Sequence, residues 1–582
     1  MAGTTDRRKG GARQSLCIGI DIGGTHSDGV LAAGTRILAA SKVGTCHEEL
    51  LVSIRALLAR LLEGRNAAEV TAVKLSTTLT TNAIVTGRIA AVALLVSGGP
   101  GIAAEHYRIG PQFHRIRGSL NHVGLETAAL DRDDLAAALA ECRQAGIRHY
   151  AVVSKFSPRN PVHEVQMAAA VQAYGAGHVL SCGHQLSGSL NFGRRIGTAY
   201  FNAAVSDIAR NFAGALGQSL KEFGLAQAGV HILKADGGTL PLARALDMPV
   251  QSILSGPAAS VMGALATLPQ HEDAALLDIG GTTTDLALLA DGQPLLEREG
   301  IALAGRPTLV RALRVQSIGL GGDSAIHVEK GRVSCGPERS GPCMAAGGRE
   351  PAVMDACNVL GRARYGDVAA SKAGLLRLAA SCGMPAETLA QAALDCAAQT
   401  IHRALLALIE EVNSKPLYTI QEILTERRIA PKKLVLIGGP AAVFRPLLEE
   451  QTGLPVLCPQ LAGITNAIGA ALCRPTGILE LHANTARRTL LATAAGVVRH
   501  IDRNFTLQDA VAEAKRLLQA SMEESGMALE PDDMQLVQAD AFNMVEDCYT
   551  SGQNMRVHVQ VKPAVLGQAE VPAACRENEV RP

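Results

Sequence analysis

The chain has 582 residues, far more than one hydrophobic core serves, and its length predicts roughly three to four folding units. Its net charge is +1, with Lys and Arg spread along the sequence, which excludes an electrostatic footprint for a nucleic-acid backbone and favours a small-molecule substrate. No Trp, 3% aromatics and 59 Gly describe many tight turns around cores of Ala, Leu, Val and Ile.

The opening MAGTTDRRKGGARQS (1–15) is basic and polar, and the apolar stretch behind it is broken at once by Asp21. It reads as a disordered tail, not as a signal peptide. From Leu16, LCIGIDIGGTHSDGVLAA and GTRILAASKVG have the short apolar runs and Gly punctuation of consecutive hairpins. HEELLVSIRALLARLLEG repeats Leu and Ile at helical spacing and is ended by Gly64. The segments AVKLSTTLTTNAIV, AAVALLVSGG, DDLAAALAECRQAGIRHYAVVSKF and HEVQMAAAVQAYGAGHVLSC then alternate strand and helix, predicting a mixed α/β domain over 16–193.

The helical RRIGTAYFNAAVSDIARNFAGALGQSLKEFG opens a second domain, 194–483, whose first strand is expected in GVHILKADGG. It continues through SILSGPAASVMGALATL and AALLDIGGTTTDLALLADG, a long loop GRVSCGPERSGPCMAAGGRE, the strand and turn KLVLIGGPAAVF, and a small-residue helix GITNAIGAALC. In 484–566, LQDAVAEAKRLLQASMEES and the alternating NMVEDCYTSGQNMRVHVQVKP predict a small α+β appendage, with 567–582 as a tail. Apolar runs such as IAAVALLVSGG are too short to cross a bilayer, so no membrane is expected. The 13 Cys are scattered and odd in number, which suits reduced thiols in the cytoplasm.

The eight residues DIGGTHSD, Asp21 to Asp28, return as DIGGTTTD, Asp278 to Asp285. Two glycines let backbone N–H groups approach phosphate oxygens unobstructed, which makes Gly23, Gly24, Gly280 and Gly281 candidate phosphate binders. Thr25 and Thr282 add hydroxyls. Asp21 and Asp278, each ending a strand, suit a hydrated Mg²⁺ or Mn²⁺ held through carboxylate oxygens. Either turn alone is also a plain hairpin, but the pair in two α/β halves, followed by a third turn at Gly438 and Gly439, points to nucleotide binding. A G-x-G-x-x-G turn after the first strand and a P-loop are both absent.

The order acidic turn, small-residue helix, second acidic turn, LIGGPAAV and GITNAIGAAL resembles the actin, sugar-kinase and Hsp70 superfamily. The stretches GIDIGGTHSDGVL, STTLTTNAIVTGR, KADGGTLPLARALDMPVQSILSGPAASVMGA, LLDIGGTTTDLAL, VQSIGLGGDSAIHV and GPERSGPCMAAGGREPAVMDACNVLGR resemble the hydantoinase A and 5-oxoprolinase family, to which acetone and acetophenone carboxylase subunits are related. The resemblance implies an α/β fold of two duplicated actin-like (ribonuclease H-like) ATPase domains around a nucleotide cleft. It implies ATP and Mg²⁺ or Mn²⁺, a small cyclic amide as substrate, an oligomer, and a hydantoinase B-type partner subunit. Asp21, Asp278 and Asp285 are then the expected catalytic carboxylates, Asp285 orienting the second turn or the metal's waters, and the adenosine is expected at Gly438 and Gly439. His26, Ser27 and Asp323 depart from the family pattern.

Phosphorylating the carbonyl oxygen of a lactam would make its carbon open to water, and the same apparatus would serve carboxylation of a ketone. A third reading is an ATP-driven conformational switch or reactivase acting on a protein. Cys335 and Cys343 match no zinc spacing and read as loop thiols. Cys182 and His184 suggest a catalytic pair only by proximity, Ser255 reads as a helix cap following a strand, and the hydroxyls of STTLTTNAIV read as a capped helix start.

Overall fold

The computed structural model describes residues 15–46, 50–175, 177–268, 271–297, 299–338, 340–414, 428–527, 529–546 and 549–572. The tail expected over 1–15 lies outside them but for its last residue, as does the end of the tail expected from 567.

The first glycine turn joins strands Leu16–Ile22 and His26–Ala33, and Arg36–Gly44 completes an antiparallel meander. Val70–Thr77 pairs in parallel with the other side of Leu16–Ile22, and Gly229–Leu233 pairs in parallel with Val70–Thr77. In the second half Ala274–Ile279, Thr284–Ala290 and Val315–Ile318 repeat the antiparallel meander. Leu434–Ile437 and then Val456–Leu457 repeat the parallel additions. Both sheets therefore run third, second, first, fourth, fifth strand in space, the ribonuclease H-like order, written twice.

Gly229–Leu233 was expected to open the second half and instead belongs to the first sheet, where Thr239–Pro241 pairs with it at the edge. Sequence order hides this, because a whole lobe separates it from the strand it pairs with. That lobe is a sheet of parallel strands Val92–Gly98, Phe113–Leu120, His149–Ser154 and Val179–Cys182, edged by Glu126–Ala128. Helices Arg132–Gln144 and Val162–Tyr174 cover one face, and the 31-residue helix Phe192–Glu222 covers the other. Asn191 caps that long helix, its side chain accepting from Arg194 N–H at 3.2 Å.

Two helices of small residues lie between the halves. Ser255–Thr267 packs on the second sheet and Thr465–Leu472 on the first. They cross backbone to backbone: a Cβ on Gly263 would lie 2.0 Å from Thr465 O, and one on Gly469 would lie 2.1 Å from Ala259 O. Helix Ala386–Asn413 is long and apolar enough to span a membrane, but its Leu389, Ala393, Ala397 and Ile401 are wholly buried in the core of the second half. The C-terminal unit is an antiparallel sheet of Val497–His500, Thr489–Ala492, Ile478–Asn484, Tyr549–Val561 and Met534–Glu546, covered on one face by helix Leu507–Glu524. Its central strand Ile478–Asn484 lies before the boundary expected at 484, since a strand's sheet is fixed by partners distant in sequence.

Candidate functional site

Each eight-residue repeat folds into the same tight hairpin. Gly23 N–H donates to His26 O at 3.1 Å, and Gly280 N–H donates to Thr283 O at 2.9 Å. The cross-strand register then sets Asp21 opposite Asp28 and Asp278 opposite Asp285. The two turns face one another, because a Cβ on Gly281 would lie 3.7 Å from Thr25 Oγ1. No Cβ neighbour lies within 4 Å of Gly24, so that corner is open. Thr25 is half-buried and Thr282 exposed at the tips.

Asp21 and Asp278 are brought together by Asn466, on the helix between the halves. Its Nδ2 donates to Asp21 Oδ2 at 3.3 Å and to Asp278 Oδ2 at 3.4 Å. Ser260 Oγ also donates to Asp278 Oδ2, at 2.5 Å. Asp28 pairs with Lys42 at 2.8 Å, and Lys42 donates in turn to Gly463 O at 2.7 Å. Asp285 accepts from Ser317 Oγ. The third turn backs the second: Gly438 has φ +93°, and a Cβ there would lie 2.2 Å from Ile279 O and 2.7 Å from Asp278 Oδ1, so only glycine fits. Gly439 has no Cβ neighbour within 4 Å and faces open space.

Four carboxylates in one place with one nearby ammonium are under electrostatic strain. Burial, then the charges of Asp28 and Asp278, push Asp21 up to about 7 against hydrogen bonds from Ser76 and Asn466. Burial, then Asp278, pushes Asp285 up to about 6. Burial also raises Asp28, opposed by Lys42, and Asp278, opposed by Ser260 and Asn466. Asp21 Oδ1, wholly buried, has no hydrogen-bond partner. Crowded carboxylates and an orphaned oxygen are the donor set of a hard divalent cation. Among the described residues no group of three or more His, Cys, Asp or Glu could hold a metal; a cation held through Asp21 and Asp278 alone would keep most of its waters.

Sequence reasoning missed Asn466, Ser260, Lys42 and Asp28. Asp28 had a signal, since it occupies in the first repeat the place of Asp285 in the second. Asp323 lies against the second turn: its N–H donates to Gly281 O at 2.7 Å, and its Oδ2 is 2.7 Å from where a Gly281 Cβ would be. The secondary candidates separate from this cluster. His184 Nδ1 bonds Glu164 Oε2 at 2.6 Å, so its partner is a carboxylate and not Cys182. Ser255 starts its helix after a 3-10 turn, not after a strand, and its Oγ joins Thr77 N–H at 3.1 Å and Thr77 O at 3.0 Å, tying that helix to the first sheet. Thr78 precedes helix Leu79–Val85 without a side-chain capping bond. Cys335 and Cys343 are buried, and burial pushes both thiols up, Cys343 to about 12.

The sequence pattern of the Hydantoinase/oxoprolinase N-terminal region matches residues 17–175, and that of Hydantoinase/oxoprolinase matches 195–477. The chain is 26% identical over 499 residues to caprolactamase subunit alpha of Pseudomonas jessenii, covering 79% of this chain and 70% of the relative. Its fold is similar to that of the ATP-dependent caprolactamase from Pseudomonas jessenii, with TM-score 0.69, 19% identity, 96% of this chain and 88% of the other. It is equally similar to nucleotide-free acetone carboxylase, with TM-score 0.69, 16% identity and the same 96% and 88% coverage. With two matched regions that account for most of its length and a fold that repeats one glycine-turn domain twice, this chain belongs to the hydantoinase/oxoprolinase family.

Proposed function

We propose that the chain is an ATP-dependent hydrolase that opens a cyclic amide of the hydantoin or 5-oxoproline type. One observation carries the reading: Asp21 and Asp278, one from each half, share the donor Asn466 beside two facing glycine turns. That arrangement suits a triphosphate and its cation gripped from both sides. The relative described as an ATP-dependent caprolactamase supports both the nucleotide and the amide.

In this reading the backbone N–H groups of Gly23, Gly24, Gly280 and Gly281 and the hydroxyls of Thr25 and Thr282 hold the phosphates. The adenosine rests at Gly438 and Gly439. Asp21 and Asp278 would hold Mg²⁺, which supplies charge neutralisation, while Asp285, fixed by Ser317, orients the second turn. An unstrained amide carbon is a poor electrophile. Transfer of the γ-phosphoryl group to the carbonyl oxygen releases ADP, water adds to the carbon, the C–N bond breaks with the nitrogen taking a proton, and a second water hydrolyses the resulting acyl phosphate to the carboxylate and free phosphate. The chain's share is positioning and neutralisation. The relative's description as an alpha subunit supports a second subunit working beside this one. The equal likeness to acetone carboxylase favours ATP-dependent carboxylation of a ketone as the second reading.

The test is product analysis by mass spectrometry after incubation with ATP and Mg²⁺. Ring-opened amino acids from 5-oxoproline, hydantoin or caprolactam are the expected products. A carboxylated product from acetone and bicarbonate would replace the first reading with the second, and phosphate release stimulated only by a protein would replace both.

A further inference from the structure

Asp323, one of the departures from the family pattern, stands where the two glycine turns meet without belonging to either. The loop that carries it is zipped onto the second turn: Gly322 N–H donates to Gly280 O at 2.9 Å, and Asp323 N–H donates to Gly281 O at 2.7 Å. The same loop touches the third turn, since a Cβ on Gly322 would lie 3.3 Å from Pro440 Cγ. The carboxylate is fixed as firmly as its backbone. Its Oδ1 accepts Cys343 N–H at 3.0 Å, and Cys343 is wholly buried. Asp355, also wholly buried, holds the residues that follow, accepting Met344 N–H at 2.9 Å and Ala345 N–H at 3.0 Å. Asp323 therefore cannot swing aside without unmaking a buried loop.

With Oδ1 engaged, Oδ2 reaches into the gap between the halves. The place a Gly281 Cβ would take lies 2.7 Å from Asp323 Oδ2 and 3.7 Å from Thr25 Oγ1, so one point of the gap adjoins both turns and the carboxylate. The charge is felt on the far side: burial and then Lys42 lower His26, on the first turn, while Asp323 raises it. Asp323 is 9% exposed, so bulk water screens it weakly. Among the described residues no group of three or more acids, imidazoles or thiols is placed to hold a metal, so Asp323 is not a third ligand beside Asp21 and Asp278.

Phosphate oxygens gripped by the N–H groups of these turns would share the gap with this fixed carboxylate, and like charges that close repel strongly where water is scarce. A triphosphate that already carries a divalent cation brings far less negative charge into the same space. We infer that Asp323 is a specificity-determining residue, which makes the site refuse a bare triphosphate and accept one that carries a divalent cation. The inference rests on the ATP reading of the glycine turns. Within that reading Asp21 and Asp278 reward the cation by holding it, whereas Asp323 penalises its absence.

The experiment is calorimetric titration of the full chain with ATP, once in excess EDTA and once in excess Mg²⁺. Asp323→Asn is nearly isosteric, keeps an acceptor for Cys343 N–H and removes the charge. It is expected to bind bare ATP about tenfold or more tighter than wild type does, and Mg²⁺-loaded ATP within about threefold of wild type. A residue with only a structural role would lose affinity when substituted, so a gain is the informative sign. If the Asn variant melts early, Asp323→Ala, neutral and shorter, should show the same gain. Wild-type affinity for bare ATP in a folded variant, or an equal gain with and without Mg²⁺, would overturn the inference and spare the glycine-turn clamp. ATP binding by no form, with or without Mg²⁺, would overturn both.

Discussion

Asp21 shows how a single carboxyl group can set the pH response of a fold. Its ordinary value is 3.8 and its folded value about 7, so the folded chain holds a proton that the unfolded chain has released over that interval. The stabilising contribution is whole below about pH 4 and is lost as pH rises through about 7, at no more than roughly 1.4 kcal/mol per pH unit. Thermal melts in a chelator should therefore show the wild type losing stability from pH 5 to 8, and Asp21→Asn should flatten that fall. An unchanged slope in the variant would mean that Asp21 titrates normally. Asn466 makes a second case. Removing the shared donor in Asn466→Ala should weaken Mg²⁺ affinity by about tenfold, as losing an orienting partner does, with little change in melting temperature. Unaltered cation affinity would show that the bridge is incidental. The repeated acids and glycines were legible because one short string occurs twice. Asn466 was not, since its meaning depends on a helix being placed between two sheets.

At the scale of elements, antiparallel hairpins were readable and parallel pairings were not. The turn between Ile22 and His26 announces its own partner strand, whereas Gly229–Leu233 pairs with Val70–Thr77 across the whole intervening lobe. The crossing of Ser255–Thr267 and Thr465–Leu472 shows why small residues recur in both helices. A valine at Gly469 would drive its side chain into Ala259 O, and denaturant unfolding should record a loss of about 3 kcal/mol. Gly453→Ala, at φ +66° with no Cβ neighbour within 4 Å, should cost only about 1 kcal/mol. Similar losses at both sites would contradict backbone contact between the helices.

Across the whole molecule the two ribonuclease H-like halves, the lobe and the C-terminal unit meet through small-residue helices and polar seams. If the halves close on a nucleotide, hydrogen exchange with ATP and Mg²⁺ should slow together at 21–28, 278–285 and 436–443. Protection confined to one turn would mean that only one half binds. The duplicated halves were legible from the duplicated motif. The lobe's placement and the docking of the C-terminal sheet were not, because His482, whose Nε2 donates to Gly188 O, looks like an ordinary strand residue until its register is known.

The central claim is that both halves contribute to one cation-dependent ATP site, and its most direct test is the Mg²⁺ dependence of ATP binding, by calorimetry, to wild type, Asp21→Asn and Asp278→Asn. The account predicts that Mg²⁺ tightens binding to wild type by about tenfold or more, and that either single substitution removes the gain. A Mg²⁺ gain that survives in both variants would contradict it.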